Sequence, residues 1–325
     1  MASGRSLPTG LAQAVFDVEV ISVNVEAEAV LSLELGAVTG GPLPAWTPGA
    51  HIDVILPGGL IRQYSLCGEP GCADRWRIGV LREPSSRGGS RFIHDVVRPG
   101  DRLQVATPRN NFELCGADRY LFVAGGIGIT PILPMIRQAA RDGKPWRLLY
   151  GGRKRASMAF LAEIDGLAGG EAHIVPQDEC GLLDLPAFLG ACLTDTAVYC
   201  CGPGPLIDAV EDVCRTWPAG ALHREQFAPS ARPAREPGSF EVHLARSGQR
   251  LTVPARRSLL AVLEDAGQKV TNSCRAGICG TCLVKVLAGT PEHNDDVLSD
   301  AERASGAVIL TCVSRAESDL LVLDL

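Results

Sequence analysis

The sequence offers no uninterrupted apolar run of the ~20 residues that a membrane-spanning helix requires. Its longest apolar stretch, YLFVAGGIGITPILPMI (120–136), is broken by three glycines and two prolines. The first twenty residues, MASGRSLPTGLAQAVFDVEV, hold one arginine but no continuous hydrophobic segment of the export type. The expectation is a cytoplasmic protein with neither an export signal nor a membrane span. Basic charge is not in excess either. Against 31 Lys and Arg stand 37 Asp and Glu, a formal net charge of −6, which argues against nucleic acid as a partner because phosphate binding needs a basic surface. No C-x-H…C-x2-H pair of a Rieske centre occurs, and no 2-His-1-carboxylate set stands out. The six histidines, His51 and His94 among them, show no ligand spacing and read as core or surface.

What is present describes a globular protein. Apolar residues make up 46% and charged residues 21% of 325, and the 36 Gly and 22 Pro are spread along the chain, enough for two or three domains. Twelve cysteines in a chain of this size, without an export signal, point to reduced thiols or metal ligation rather than disulfides. Eight of them (Cys67, Cys72, Cys115, Cys180, Cys192, Cys200, Cys201 and Cys214) sit among apolar neighbours, and most are expected to be small buried hydrophobes.

The other four form a pattern. Cys274, Cys279 and Cys282 lie in NSCRAGICGTC (272–282), and Cys312 follows in VILTCVSRA, giving C-x4-C-x2-C-x29-C. Thiolates are soft ligands for iron–sulfur clusters or zinc. Structural zinc favours two C-x2-C knuckles, and Cys312 has no such partner, so the spacing tilts the choice to a plant-type [2Fe–2S] cluster. Gly277 and Gly280 allow N–H groups to turn inward towards anionic sulfur, and the small Ser273, Ala276 and Thr281 leave room. FEVHLA (240–245) and RLTV (250–253) around RSGQ read as a hairpin, and SLLAVLEDAG (258–267) as a Ser-capped helix. With the strands CLVKVLAG and LLVLDL, residues 238–325 resemble the β-grasp fold of plant-type ferredoxins.

In the middle of the chain, a strand at 120–124 runs into a glycine turn (Gly125, Gly126, Gly128). A helix follows, with Thr130 read as cap and Gly143 as stop. Further strands at 146–152, 171–177 and 196–205, separated by helical stretches such as 155–167 and 205–217, predict a parallel α/β domain. Its ligand belongs at the carboxyl ends of the strands, where Gly125–Thr130, Tyr150–Arg153 and Cys201–Pro203 fall. GGIGITP and YCCGP together resemble the pyridine-nucleotide domain of the ferredoxin–NADP reductase superfamily. That resemblance implies cofactor contacts at Gly125, Gly126, Thr130, Gly202 and Pro203, with Cys201 near the nicotinamide and Cys200 on the opposite, core face. Arg153 and Asp178 lie where ribose or adenine contacts could be made.

The first hundred residues alternate as two strands around Pro-Gly-Gly within 51–70 and further strands at 76–84 and 101–108, which predicts an antiparallel barrel. A helix starting in RGGSRFIHDVV (87–97) interrupts them and offers an anion site at its start. RQYSL (62–66) resembles the flavin site of the ferredoxin reductase-like barrel. It implies Arg62 towards the phosphate with Gly88, Gly89 and Ser90, Tyr64 beside the ring, Ser65 near N5, and Phe227 over the flavin.

The order of these parts resembles the phthalate dioxygenase reductase type over essentially the whole chain. The resemblance implies a multidomain protein: an antiparallel β-barrel flavin domain (1–112), an α/β parallel-sheet nucleotide domain (113–228), a Pro-rich linker (229–238) and a β-grasp α+β ferredoxin domain (239–325). It further implies NADH, FMN and a [2Fe–2S] cluster, with catalysis at Ser65 and Cys201 and iron held by Cys274, Cys279, Cys282 and Cys312. The expected protein is a monomer that hands electrons to a terminal Rieske oxygenase. A haem monooxygenase or another soluble acceptor is the alternative. The residues themselves leave FMN against FAD, and NADH against NADPH, open.

Overall fold

The computed structural model describes residues 14–84, 88–229 and 238–325. Most of the expected linker, 230–237, and Arg87 lie outside them. Two compact units emerge, one Val15–Phe227 and the other holding Ala228–Leu325.

The first unit opens with a seven-stranded antiparallel barrel. Its strands are β1 (Val15–Ala27), β2 (Val30–Ala37), β3 (Ala50–Leu56), β4 (Leu60–Ser65), β5 (Arg75–Leu81), β6 (Arg102–Ala106) and β7 (Arg109–Asn110). The order is β4-β3-β6-β1-β2-β5, with β7 on β3. Just past β4, Leu66 bridges Ile78 and the Cys67 N–H donates to the Arg77 carbonyl at 2.8 Å, which closes the ring. Alternation along β3 sends Ile52, Val54 and Leu56 into a core with Val18, Leu33, Trp76, Ile78 and Val105. His51 and Asp53 take the other face. Between β5 and β6 runs α1 (Gly89–Asp95).

The same unit continues into a parallel sheet: β8 (Arg119–Gly125), β9 (Trp146–Gly152), β10 (Gly170–Pro176), β11 (Thr196–Cys201) and β12 (Leu222–Glu225), in the order β10-β9-β8-β11-β12. Its helices are α2 (Ile129–Arg141), α3 (Leu161–Asp165), α4 (Gln177–Cys180), α5 (Leu185–Leu189) and α6 (Gly204–Cys214). Cys201 packs in the core on the α2 face and Cys200 in that on the α6 face, as alternation in a doubly covered sheet requires. Barrel and sheet are bolted together by Arg77, whose guanidinium donates to Glu26 and to Glu163 of α3, each at 2.6 Å, and stacks over Phe160.

Three sequence expectations need correction. Thr130 does not cap α2. The cap position is Gly128, reached directly from a short 3-10 turn, and the buried Thr130 hydroxyl, at the second helical position, donates to the Ile127 carbonyl. The stretch 155–167 is not one helix, because Phe160 takes a left-handed φ of 63° between a 3-10 turn (Arg155–Ser157) and α3. Of the eight scattered cysteines only Cys67, Cys200, Cys201 and Cys214 are buried, while Cys115, Cys180 and Cys192 are exposed at the periphery.

The second unit is the β-grasp. Here β13 (Phe240–Leu244) pairs antiparallel with β14 (Arg250–Val253) and parallel with β19 (Leu320–Leu323). β15 (Leu283–Ala288) and β17 (Val308–Leu310) complete the order β14-β13-β19-β15-β17. The helix α7 (Leu259–Asp265) packs Leu259, Val262 and Leu263 on that sheet, and Ser258 caps it through the Ala261 N–H. A minor pair, β16 (Pro291–Glu292) and β18 (Arg315–Ala316), and the helix α8 (Asp300–Ser305) with its Ser299/Glu302 capping box finish the fold. Among the described residues no helix is long and apolar enough to cross a membrane.

Candidate functional site

The carboxyl edge of the parallel sheet is where its backbone is tightest. A Cβ on Gly128 would lie 2.2 Å from the Cys201 carbonyl oxygen, and one on Gly125 would meet Pro203 and Leu206 at 2.8 and 2.7 Å. The turns after β8 and β11 therefore touch main chain to main chain, which brings Gly125, Gly126, Cys201, Gly202 and Pro203 together. Gly126, at φ 55°, is the member whose Cβ would face open space. Thr130 instead points at the barrel, where its methyl lies against Gly79 of β5. The Cys201 thiol is fully buried, and burial, with Glu225 as the lesser cause, pushes it well above its ordinary range, so it is a neutral thiol.

On the barrel, β4 splits the RQYS residues by alternation. Arg62 and Tyr64 take one face and Gln63 and Ser65 the other. The Arg62 stem lies on α1, because Gly89 has no Cβ there; one would come within 2.6 Å of it. Gly88, at φ 100°, precedes that helix without a side-chain cap. The buried Ser90 hydroxyl accepts from the Glu83 N–H at 3.2 Å. Burial raises the Tyr64 phenol, with Arg62 opposing. Ser65 Oγ is shielded from solvent and has no hydrogen-bond partner.

Ser65 stands directly opposite His51 in the β3–β4 register, and Cys201 opposite Glu225 in that of β11 and β12. His51 Nδ1 and Glu225 Oε1 meet at 4.0 Å. Behind them Arg109 grips both oxygens of Asp53 at 2.8 and 3.0 Å, and Asp53 also accepts from Gln63. Burial lowers His51 to about 4, with Arg109 adding to the effect, and raises Glu225 to about 8. Glu225 Oε2, like Ser65 Oγ, is buried without a partner. Sequence reasoning missed this wall, although a histidine and an aspartate at alternate positions of an apolar strand, AHIDVIL, were a signal. Phe227 follows two residues later, 40% exposed.

The cysteine loop forms the second site. Arg275, Gly277 and Gly280 have φ of 52°, 75° and 74°, so the chain coils on itself between Cys274 and Cys282. The four thiols approach pairwise. A hydrogen bond from Cys274 lowers Cys279, and one from Cys312 lowers Cys282. The Ala276 N–H donates to Cys274 Sγ at 3.3 Å, and Thr281 Oγ1 lies 3.0 Å from Cys279 Sγ. Among the described residues no three His, Cys, Asp or Glu side chains converge on one point as a mononuclear metal would need. Beneath the loop, Asp295 accepts from the Val297 and Leu298 N–H groups and from Arg303.

Known proteins carry the same parts. Residues 242–317 match the family described as 2Fe-2S iron-sulfur cluster binding domain, and 122–180 the one described as Oxidoreductase NAD-binding domain. Over 315 residues the chain is 42% identical to vanillate O-demethylase oxidoreductase of a Pseudomonas species, covering 95% of this chain and 99% of that one. Over 304 residues it is 40% identical to phthalate dioxygenase reductase of Burkholderia cepacia, covering 92% and 94%. A solved structure of phthalate dioxygenase reductase superposes with a TM-score of 0.71 at 39% identity, covering 96% of this chain and 98% of that one. An intact type IV self-sufficient cytochrome P450 monooxygenase superposes with a TM-score of 0.89 at 38% identity. That match covers 99% of this chain and 43% of the longer one.

Proposed function

The chain belongs to the phthalate dioxygenase reductase family, and we propose that it is the reductase component of a multicomponent Rieske non-haem iron oxygenase. It takes electrons from NADH and passes them through FMN and a [2Fe–2S] cluster to an oxygenase acting on an aromatic acid, a methoxyarene or a similar small molecule. The observation that carries the reading is the pairwise approach of the four thiols. Two thiolates for each of two irons is what a binuclear cluster needs, whereas zinc would draw all four to one point.

Bound FMN supplies the exchange between a two-electron donor and a one-electron acceptor. The residues present fit it. Arg62 on Gly89, at the start of α1, suits a phosphate; Tyr64 suits the side of the ring; the orphaned hydroxyl of Ser65 suits a ring nitrogen. The Gly125–Gly126 and Cys201–Pro203 turns suit the nucleotide, and Cys201, as a neutral thiol, shapes the wall without competing as a nucleophile. Phe227 covers the site from the β12 end. Cys274 with Cys279, and Cys282 with Cys312, hold the irons. FMN is preferred to FAD because the ferredoxin part follows the flavin part. We assign the domains as 1–112, 113–228 and 239–325, joined by 229–238, in a cytoplasmic monomer.

The test is a visible spectrum with iron and acid-labile sulfide analysis, before and after anaerobic NADH. Flavin and cluster absorption should both bleach, with about two irons and two sulfides per chain. A colourless zinc protein would overturn the reading. A second reading, delivery to a haem monooxygenase, is favoured by the likeness to the P450-fused chain. Product formation with a Rieske oxygenase but not with a P450 decides between them.

A further inference from the structure

We propose that Arg137 is a positioning residue for hydride transfer: it closes a ring of hydrogen bonds that sets the distance between the nucleotide turns and the flavin strand. The proposal rests on the reductase reading above. In that reading hydride leaves nicotinamide C4 with both bonding electrons and lands on flavin N5, giving NAD⁺ and the reduced flavin anion. Such a transfer needs the reacting atoms about 3–3.5 Å apart, and a misplacement of about 1 Å by a group far from the chemistry can cost about a hundredfold in rate. The flavin position belongs to the barrel, at Ser65 of β4, and the nicotinamide position to the parallel sheet, at the turns after β8 and β11. Their separation is therefore a distance between two layers, and groups in the interface must hold it.

The helix α2 springs from the nucleotide turn at Gly128, and Arg137 lies nine residues along it. Its guanidinium donates to the carbonyls of Cys67 and Gly68 at 2.9 and 2.8 Å. Those are the second and third residues after Ser65. One side chain thus ties the helix that begins at the nucleotide turn to the end of the strand that carries the flavin-site serine. The other arm of Arg137 donates to Glu163, which also accepts from Arg77 at 2.6 Å, and the Arg77 carbonyl accepts from the Cys67 N–H at 2.8 Å. The path Arg137–Cys67–Arg77–Glu163 returns to Arg137, so no member can shift without stretching two bonds. Glu26, the second acid on Arg77, brings the charges to two against two. The Arg137 and Arg77 side chains are only 13% and 18% exposed, so salt screens these bonds far less than it screens surface ion pairs. At the nucleotide end the layers touch once more, where the Thr130 methyl lies against Gly79 of β5. A contact at one point and a tether at another fix the angle between barrel and sheet. Groups serving cohesion alone could lie anywhere along the interface; this ring ends on the two segments whose separation the reaction depends on.

The experiment uses the full chain, with FMN and stripped of it. In the stripped protein, hydrogen exchange should show the amides of residues 65–68 and 126–130 opening together, about tenfold faster in Arg137→Ala than in the wild type, with residues 240–323 unchanged. In the loaded protein, anaerobic stopped-flow should show the limiting rate of flavin bleaching at saturating NADH lowered about 10- to 100-fold. The primary isotope effect with C4-deuterated NADH should rise. The dissociation constants of NADH and FMN should stay within about twofold, and the reduced flavin should still pass electrons to ferricyanide at the wild-type rate. Arg137→Lys, a point charge without the fork, should recover part of the loss. Glu163→Gln keeps the volume and weakens the ring at its acid; it should slow bleaching in the same direction, and it serves as the test should Arg137→Ala not hold FMN. Limiting rates within about twofold of the wild type in these variants would overturn the proposal, as would unchanged exchange in both segments or an equal slowing of the ferricyanide step. Failure of the wild type to hold FMN or to bleach with NADH would instead overturn the reductase reading, and the exchange measurement stands apart from it.

Discussion

Gly128 and Cys201 are locked backbone to backbone: no heavy atom fits on the Gly128 α-carbon without entering the carbonyl oxygen of Cys201. The φ of Gly128 is −60°, so its need for glycine is spatial and not conformational. Gly128→Ala should push the two turns apart, cost about 2–3 kcal/mol, and lower the melting temperature of this half by about 5–10 °C. Calorimetry reads it, together with a raised KM for NADH. Unchanged values for both would mean the turns have slack.

Arg62 and Gly89 form a second such fit, this time glycine against side chain. Losing a charged hydrogen bond to phosphate costs about 1.5–3 kcal/mol, so Arg62→Ala should weaken FMN binding about 10- to 100-fold. Gly89→Ala should weaken it in the same direction by displacing the Arg62 stem. Flavin fluorescence titration of the stripped protein measures both.

Cys282→Ser removes one sulfur of the Cys282–Cys312 pair. The variant should lose cluster absorption and acid-labile sulfide, yet still bleach its flavin with NADH and reduce ferricyanide. Delivery to an oxygenase or to cytochrome c should fall to background in a coupled assay. Normal delivery by that variant would mean electrons leave by another route.

Stability should fall as pH rises from about 6.5 to 8 in the flavin-free chain. A carboxyl raised to about 8 keeps its proton in the folded state and loses it in the unfolded one, so stability is highest below the unfolded value and drains away up to pH 8. His51, lowered to about 4, works oppositely between 4 and 6.5 and masks the trend there. Above 6.5 the Glu225 contribution is about 2 kcal/mol over the window, read as the difference between wild type and Glu225→Gln. Urea denaturation at pH 6.5 and 8 should show the loss in the wild type and its absence in Glu225→Gln.

Much of this was readable where local chemistry is specific. The cysteine spacing, RQYS, and the Ser258 cap are short patterns whose neighbours in space are neighbours in sequence. β1 and β2 were not read, and register shifts at Val20/Ser22 and Val25/Ala27 show why: bulges break the alternation a strand is recognised by. β12 escaped because LHRE holds a single aliphatic residue, as an edge strand can. Thr130 looked like a cap because cap residues are short and polar, but the 3-10 turn started the helix two residues earlier than a side chain could signal. The His51–Glu225 contact joins strands far apart in sequence through topology, and the Arg77 bolt joins β5 to α3 likewise. No window of sequence contains either.

Each side of the Phe227–Ala228 boundary has its own apolar centre, with Phe122, Ile132 and Val198 among the buried residues before it and Val242, Leu263 and Leu321 among those after it. A gene divided at that point therefore yields two heritable parts, each with the means to fold. Exchange of either one between lineages, or its fusion to a new terminal oxidant, leaves each of these apolar centres within a single part. Change in such a protein can proceed by recombination as readily as by point substitution.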